Sequence, residues 1–147
     1  MKKLALFGDG GSRGNPGNAA SGWVVYEYAG DWGGGVGVLK QTQVIASGKY
    51  IGVDTNNQAE WQALIFGLSE ILEVYNPRDV ELIVCLDSLL VVSQANGKWK
   101  IKHEPLRQHY NKYKELQKQF TNIRLFHVLR EFNKEADAEV NKVLDEL

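Results

Sequence analysis

The 147-residue sequence contains a single cysteine, Cys85, and that scarcity excludes two kinds of scaffold. One thiol cannot form an internal disulfide, nor can it supply the several sulfur ligands of a structural zinc site. Cys85 lies inside the apolar run of residues 82–86, which indicates a buried structural thiol rather than a nucleophile.

Long apolar runs are also missing. No uninterrupted stretch approaches the roughly 20 apolar residues of a membrane-spanning helix, so we expect no membrane partner. The apolar start of the chain resembles a signal peptide only weakly, because Gly8 and Asp9 cut it short. We therefore expect a cytoplasmic, monomeric protein, and its length predicts one domain spanning residues 1–147.

The chain also lacks an excess of positive charge. The formal net charge is −1, so the chain has no bulk positive field that would attract a polyanion. A nucleic-acid partner would have to be held by a local basic patch.

Apolar patterning predicts the element order β-β-β-α-β-α-α-β-α. The first three strands, joined partly by a glycine-rich connection at residues 33–35, have no helix between them, which predicts an antiparallel meander. Right-handed crossovers would place the later strands parallel to the first, in one mixed α/β sheet. The predicted strands are residues 4–7, 23–28, 44–51, 80–86 and 123–128, and the predicted helices are residues 58–74, about 89–95, 105–120 and a last one capped by Asn133.

Four carboxylates occupy positions where an unpaired charge would be costly. Asp9 and Asp87 follow strand-like runs, Glu60 lies in the first turn of a predicted helix, and Asp137 lies beside the apolar stripe of the last helix. If the first and fourth strands are parallel neighbours, all four acids can meet at one sheet edge. Their repulsion would be relieved by Mg²⁺ or Mn²⁺, which suit carboxylate ligands.

A pair of such ions suits phosphodiester hydrolysis. One ion would generate the attacking hydroxide, and the other would stabilise the leaving 3′ oxygen in an in-line displacement. A purely structural interpretation stays open for each acid taken alone, since Asp87, for example, could simply cap the helix that follows it.

Four sequence blocks resemble, in content and order, the signature blocks of type 1 ribonuclease H, also called ribonuclease HI. They are residues 9–17, 55–60, 87–88 and 133–137. The resemblance implies a ribonuclease H-like fold, with a five-stranded mixed sheet in spatial order 3-2-1-4-5 and helices on both faces. It also implies an endonuclease that cleaves the RNA strand of RNA–DNA hybrids and leaves 5′-phosphate and 3′-hydroxyl ends. Its catalytic acids, which would hold two Mg²⁺ ions or Mn²⁺, would be Asp9, Glu60, Asp87 and Asp137.

The same resemblance implies contacts with the minor groove of the hybrid, where 2′-hydroxyl groups distinguish RNA from DNA. Glycines allow close backbone approach and amides offer donors and acceptors, although both residue types also form turns and caps. Lysines in the segment 98–103 would face phosphates if that segment is extended. Trp99 would either pack on sugars or anchor the segment in the core, and we expect the core position. The expected substrate-binding residues are Gly10, Gly11, Ser12, Arg13, Asn15, Asn56, Asn57, Gln58, Ser88, Lys98 and Lys100.

The sequence departs from the family pattern in three places. The long basic handle of some relatives is absent or much shortened, which argues against tight and processive binding. The loop before the last acid lacks the mobile histidine of many relatives, so Arg130 or Glu131 could substitute, while His127 on the preceding strand is predicted to be structural. Leu89 stands where a glutamine often follows the Asp-Ser pair.

Other functions fit the residues less well. A dinucleotide-binding loop starting at Gly8 would need glycine where Arg13 stands, and the next element is a predicted strand. The alternating ligands of an EF-hand are missing. An exonuclease of the same broad fold would carry Asp-x-Glu on its first strand, where this chain has Gly11. A non-catalytic hybrid-binding module stays open, although four mutually repelling acids argue against it.

Overall fold

The computed structural model describes residues 1–31, 33 and 35–147, so one position of the glycine-rich connection lies outside the described residues. Five strands form one mixed sheet, and four α-helices pack on it. The strands are β1 (Lys2–Arg13), β2 (Gly17–Glu27), β3 (Thr42–Asp54), β4 (Val80–Leu86) and β5 (Asn122–His127). The helices are α1 (Asn56–Val74), α2 (Leu89–Ala95), α3 (Glu104–Gln117) and α4 (Lys134–Asp145).

The sheet has the order β3-β2-β1-β4-β5, which confirms the predicted topology. β1 pairs antiparallel with β2, and β2 pairs antiparallel with β3. β4 lies parallel to β1 on one side and to β5 on the other. The two parallel pairings place the carboxyl ends of three strands at the same edge of the sheet.

Side chains of β1 alternate between two cores because successive residues of a strand point to opposite faces. Leu4 and Leu6 pack in the larger core, together with residues of α1, α2 and α3. Ala5 and Phe7 pack in a second core that also contains Ala136 of α4. Helices therefore cover both faces of the sheet, as predicted.

The predicted first strand was too short. Residues 8–13 pair with residues 18–23 of β2, so β1 continues to Arg13 through a segment that the sequence indicated as a turn. Its glycines serve another purpose, because a Cβ atom at Gly10 would lie 2.3 Å from the amide nitrogen of Glu60. Only a glycine lets β1 approach the start of α1 this closely.

Glycine in β2 brings α4 to the sheet in the same way. A Cβ atom at Gly22 would lie 2.6 Å from the carbonyl oxygen of Ala136. Gly22 is also the β2 partner of Asp9, so the first turn of α4 lies across the strand pair that carries this acid.

Two further features concern the cysteine and the apolar character of the helices. Cys85 is a buried free thiol, as predicted, and burial raises its pKa to about 12. Among the helices of the described residues, none is both long enough and apolar enough to cross a membrane.

Candidate active site

Three of the predicted acids meet at the carboxyl edge of the parallel strands. Asp9 lies in β1 just beyond the last pair that β1 forms with β4, and Asp87 directly follows β4. Glu60 lies one turn into α1, the helix that Gly10 allows to approach. One carboxylate oxygen from each of these residues lies within 4.8 Å of the other two. We call Asp9, Glu60 and Asp87 the acid cluster.

Asp137 joins the acid cluster at its rim. It lies in the first turn of α4, is solvent-exposed, and lines the same cleft as Asp9 and Glu60. Asp137 also interacts electrostatically with Asp9. The structure therefore brings three acids together and places the fourth at the rim of the same cleft.

The local environment raises the pKa of Asp9 to about 9. Burial is the largest cause, and the negative charges of Asp87 and Asp137 add to it, while the amide of Gly10 opposes the shift by donating a hydrogen bond. Such a carboxyl holds its proton at neutral pH unless a cation compensates for the neighbouring charges.

Burial also raises the pKa of Glu60, to about 7. The Ser88 hydroxyl opposes this shift by donating a hydrogen bond, Asp87 reinforces it, and Arg130 opposes it. Three carboxylates, of which Asp9 is buried and both Asp9 and Glu60 have raised pKa values, form an all-oxygen donor set that a hard divalent cation would stabilise. The residues present therefore fit Mg²⁺ or Mn²⁺.

Asp9 and Glu60 of the acid cluster line a cleft of about 250 Å³. Its walls contain several of the residues that the sequence indicated for substrate binding, together with Arg130, which enters from the loop before α4. The wall residues among the predicted set are Gly10, Gly11, Ser12, Arg13 and Asn56.

Hydrogen bonds join the end of β1 to the start of α1. The Ser12 amide donates to Asn56 Oδ1 at 2.8 Å, and the Ser12 hydroxyl donates to the Asp54 carbonyl at 2.9 Å. The backbone N–H of Asn56 donates in turn to Asn15 Oδ1 at 3.0 Å. These bonds leave the Asn56 NH₂ group as the free donor of that side chain.

Residues 7–143 match the family profile described as reverse transcriptase-like. The crystal structure of RNase H1 from the halophilic archaeon Halobacterium salinarum superposes with a TM-score of 0.84 and 35% identity, covering 99% of each chain. The chain belongs to the type 1 ribonuclease H family. By sequence alignment, ribonuclease HI of Halobacterium salinarum is 41% identical over 144 residues, which are 98% of this chain and 65% of that protein.

Two further relatives place this ribonuclease H among well-characterised folds. The N-terminal RNase H domain of Rv2228c from Mycobacterium tuberculosis superposes with a TM-score of 0.85 and 36% identity, covering 99% of this chain and 96% of that one. LC11-RNase H1, solved in complex with an RNA/DNA hybrid, superposes with a TM-score of 0.83 and 32% identity over 97% of both chains. The chain spans only 36% of the full Rv2228c protein, which is called bifunctional.

Several residues predicted to bind substrate in this ribonuclease H are engaged elsewhere. Arg13 forms an exposed ion pair with Asp145. Gln58 is buried and contacts His109 on α3. Ser88 caps α2 by accepting a hydrogen bond from the Val91 amide, so the cap is not Asp87. Asn57 stays exposed at the start of α1.

Lys98 and Lys100 are not among the residues that line the cleft. Lys98 and Lys100 are exposed on irregular backbone between α2 and α3, so the expected extended strand with lysines on one face does not form. Trp99 is 47% exposed, and the prediction that it anchors the segment in the core is wrong. Its indole lines a shallow depression with Arg107 and Tyr110 of α3.

For some residues near the acids, the sequence pattern did not predict the contacts that the structure shows or predicted different ones. Asn141 Nδ2 donates to Asp137 Oδ2 at 3.3 Å, a contact that only the four-residue spacing on α4 could have indicated. Asn133 is the N-cap residue of α4, as predicted, but its side chain makes no capping hydrogen bond and contacts β1 instead. His127, for which the sequence predicted a structural role, is exposed at the end of β5.

Proposed function

We propose that this ribonuclease H domain is an endonuclease that hydrolyses the RNA strand of RNA–DNA hybrids at the acid cluster. The observation that carries the proposal is the contact of three carboxylates within 4.8 Å at the carboxyl edge of β1 and β4. Family membership supports it, as does the RNA/DNA hybrid bound by the similar LC11-RNase H1.

The acid cluster would hold two Mg²⁺ ions, or Mn²⁺, with Asp137 completing the site from its rim. When bound, the ions supply Lewis-acid stabilisation of the charge that develops during in-line cleavage to 5′-phosphate and 3′-hydroxyl ends. Carboxylates ligate only when deprotonated, so Asp9 and Glu60 release the protons that their raised pKa values retain at neutral pH.

The RNA strand would be recognised from the minor-groove side by the residues around the cleft. Gly10 and Gly11 present backbone without side chains, and the free NH₂ group of Asn56 is a donor for a 2′-hydroxyl or a base edge. Arg13 can exchange its exposed partner Asp145 for a phosphate, since such surface ion pairs contribute little stability. Lys98 and Lys100 would contact phosphates farther along the duplex, and Asn15, Asn57, Gln58 and Ser88 complete the proposed contact set.

The competing function is a module that binds hybrids without cutting them. A module that only binds hybrids does not need a buried carboxyl such as Asp9, whose pKa is raised by burial and by its acidic neighbours. Catalysis through bound cations does need it. The monomeric state, the cytoplasmic location and the single-domain organisation stay predictions.

Cleavage of a hybrid with an end-labelled RNA strand tests the proposal, with Mg²⁺ and Mn²⁺ titrated separately. We expect metal-dependent cleavage at internal RNA positions, and no cleavage of the DNA strand or of a DNA duplex of the same sequence. A folded protein that shifts the hybrid on a gel but cuts it in neither metal would establish the binding module instead.

A further inference from the structure

One polar contact near the acid cluster involves none of the acids. Gln58 lies in the first turn of α1, directly after Asn56 and Asn57, and its side chain is only 8% exposed. Its Oε1 atom lies 2.5 Å from Nε2 of His109, which belongs to the middle of α3. The contact joins residues 51 positions apart, so only the packing of α1 on α3 creates it.

The chemistry of this contact defines which groups of Gln58 remain available. An amide oxygen accepts hydrogen bonds only, so Nε2 of His109 must carry a proton and donate it. Burial lowers the pKa of His109, which favours the neutral ring protonated at that nitrogen, although the charge of Asp54 opposes the shift. With Oε1 engaged, Gln58 can offer only its NH₂ group, a donor of two hydrogen bonds, to any other partner.

The backbone around Gln58 is fixed as well. Its amide donates to the Thr55 side chain at 3.3 Å, which caps α1. One turn further on, Trp61 donates a 3.1 Å hydrogen bond to Gln94 and packs edge-on against Tyr110 of α3. The first two turns of α1 are therefore held in one position against α3.

The NH₂ group of Gln58 reaches the protein surface. Among the described residues, the one buried side-chain atom without a hydrogen-bond partner is Asn133 Oδ1, so the unpartnered Gln58 Nε2 must contact solvent. Gln58 directly follows the exposed Asn57 and lies two positions after Asn56, which lines the cleft. A duplex that extends from the cleft across Asn57 passes over the first turn of α1, which carries the Gln58 NH₂ group.

We propose that His109 is a positioning residue for hybrid recognition, which holds the Gln58 side chain so that its NH₂ group donates to acceptors in the minor groove. The proposal rests on the proposed function, because it assumes that the segment Asn56–Gln58 faces the hybrid. His109 acts through Gln58 and does not itself touch the substrate. Loss of His109 weakens hybrid binding and leaves the chemical step unchanged.

The test compares four variants in steady-state cleavage and in anisotropy titrations of a fluorescent RNA–DNA hybrid with metal-free protein. We expect His109→Leu to raise both KM and Kd by about fivefold to tenfold, as loss of one hydrogen bond does, with kcat within about twofold of wild type. Gln58→Leu should have the same effect, and the double variant should be no worse than either single one. His109→Gln, whose amide can donate to Gln58 Oε1, should restore most of the affinity.

Gln108→Leu is the matched control, since Gln108 is the exposed neighbour of His109 on α3 and should change neither KM nor Kd. Unchanged affinity in His109→Leu, or additive losses in the double variant, would overturn the proposal. If His109→Leu fails to fold, Gln58→Leu and His109→Gln still decide it. A wild-type protein that binds the hybrid without cutting it would refute the proposed catalytic function, while the Kd values would still test His109.

Discussion

The Asn133 side chain donates a 2.8 Å hydrogen bond to the carbonyl oxygen of Gly8, which lies 125 positions away in the sequence. Gly8 directly precedes Asp9, and the carbonyl of Asn133 accepts the hydrogen bond of the Asp137 amide. One buried side chain therefore joins the strand that carries Asp9 to the helix that carries Asp137.

Replacing Asn133 with alanine should lower the free energy of unfolding by about 1–3 kcal/mol, the usual effect of losing a buried hydrogen bond. Cleavage should also fall, because α4 loses this hydrogen bond to β1 and Asp137 shifts. Urea unfolding and hybrid cleavage measure the two effects. Asn111→Ala on the exposed side of α3 is the control and should change stability by less than about 0.5 kcal/mol. Equal effects of the two substitutions would contradict a structural role for the Asn133 contact.

Asp9→Asn should abolish metal-dependent cleavage and leave the fold intact. The two side chains have almost the same shape, but the amide cannot replace a carboxylate as a ligand of a hard cation. Cleavage assays and circular dichroism measure the outcome, with Asp79→Asn, an exposed residue at the opposite sheet edge, as the control. Full activity in Asp9→Asn would refute the assignment of the metal site.

The stability of the metal-free protein should fall as the pH rises. The folded-state pKa of Asp9, about 9, lies above its ordinary value of 3.8, so its stabilising contribution is complete below pH 3.8 and is lost as the pH rises to about 9. Glu60 acts in the same direction between its ordinary pKa of 4.5 and about 7. Unfolding in EDTA from pH 4.5 to 9 measures the trend.

Asp9→Asn supplies the control for this pH dependence. As the pH rises, the free energy of unfolding of the metal-free variant should increase relative to that of wild type. Where Asp9 is the only group that causes this difference, the increase should be up to about 1.4 kcal/mol per pH unit. Added Mg²⁺ should stabilise wild type more than the variant. A stability difference that does not vary with pH would show that folding does not raise the pKa of Asp9.

Gly10→Ala should destabilise the protein by at least about 2 kcal/mol and reduce cleavage. The added Cβ atom would lie 2.3 Å from the backbone of both Ala59 and Glu60, so β1 and α1 must move apart and carry Glu60 away from Asp9. Thermal unfolding with a cleavage assay measures this. Gly37→Ala is the matched control, because no described atom lies within 4 Å of the Cβ position there. A similarly mild effect of both substitutions would contradict the proposed close approach.

The double variant Lys98→Ala/Lys100→Ala should weaken hybrid binding in a salt-dependent manner. If each lysine contacts one phosphate, the slope of log K against log salt concentration should decrease by about 2. Lys2→Ala/Arg78→Ala removes two charges at the opposite edge of the sheet, beside the Lys2–Val80 pair, and should leave the slope unchanged. Equal slopes for wild type and the first variant would remove these lysines from the interface.

The sheet order and the strand ends that carry Asp9 and Asp87 were predictable because apolar runs and crossover rules determine them together. The extension of β1 to Arg13 was not predictable, because glycine has a low preference for strands. In this strand the glycines allow close contact with helices. The position of Trp99 was predicted wrongly because a tryptophan suits both a buried core and a surface depression.

Contacts between distant polar side chains were the least predictable feature of the site. Nothing in the sequence pairs Gln58 with His109, or Asn133 with Gly8, because each contact depends on how one element packs on another. The acids themselves were indicated by their positions, but their separation and the rim position of Asp137 required coordinates.

The wide spacing of the acids along the chain has a consequence for synthesis. A ribosome-bound chain that ends before residue 133 already contains Asp9, Glu60 and Asp87, yet it lacks both the Asn133–Gly8 bond and the helix that covers Gly22. Domains generally fold as units. The nascent protein therefore gains its complete site only after the residues of α4 have emerged from the ribosome.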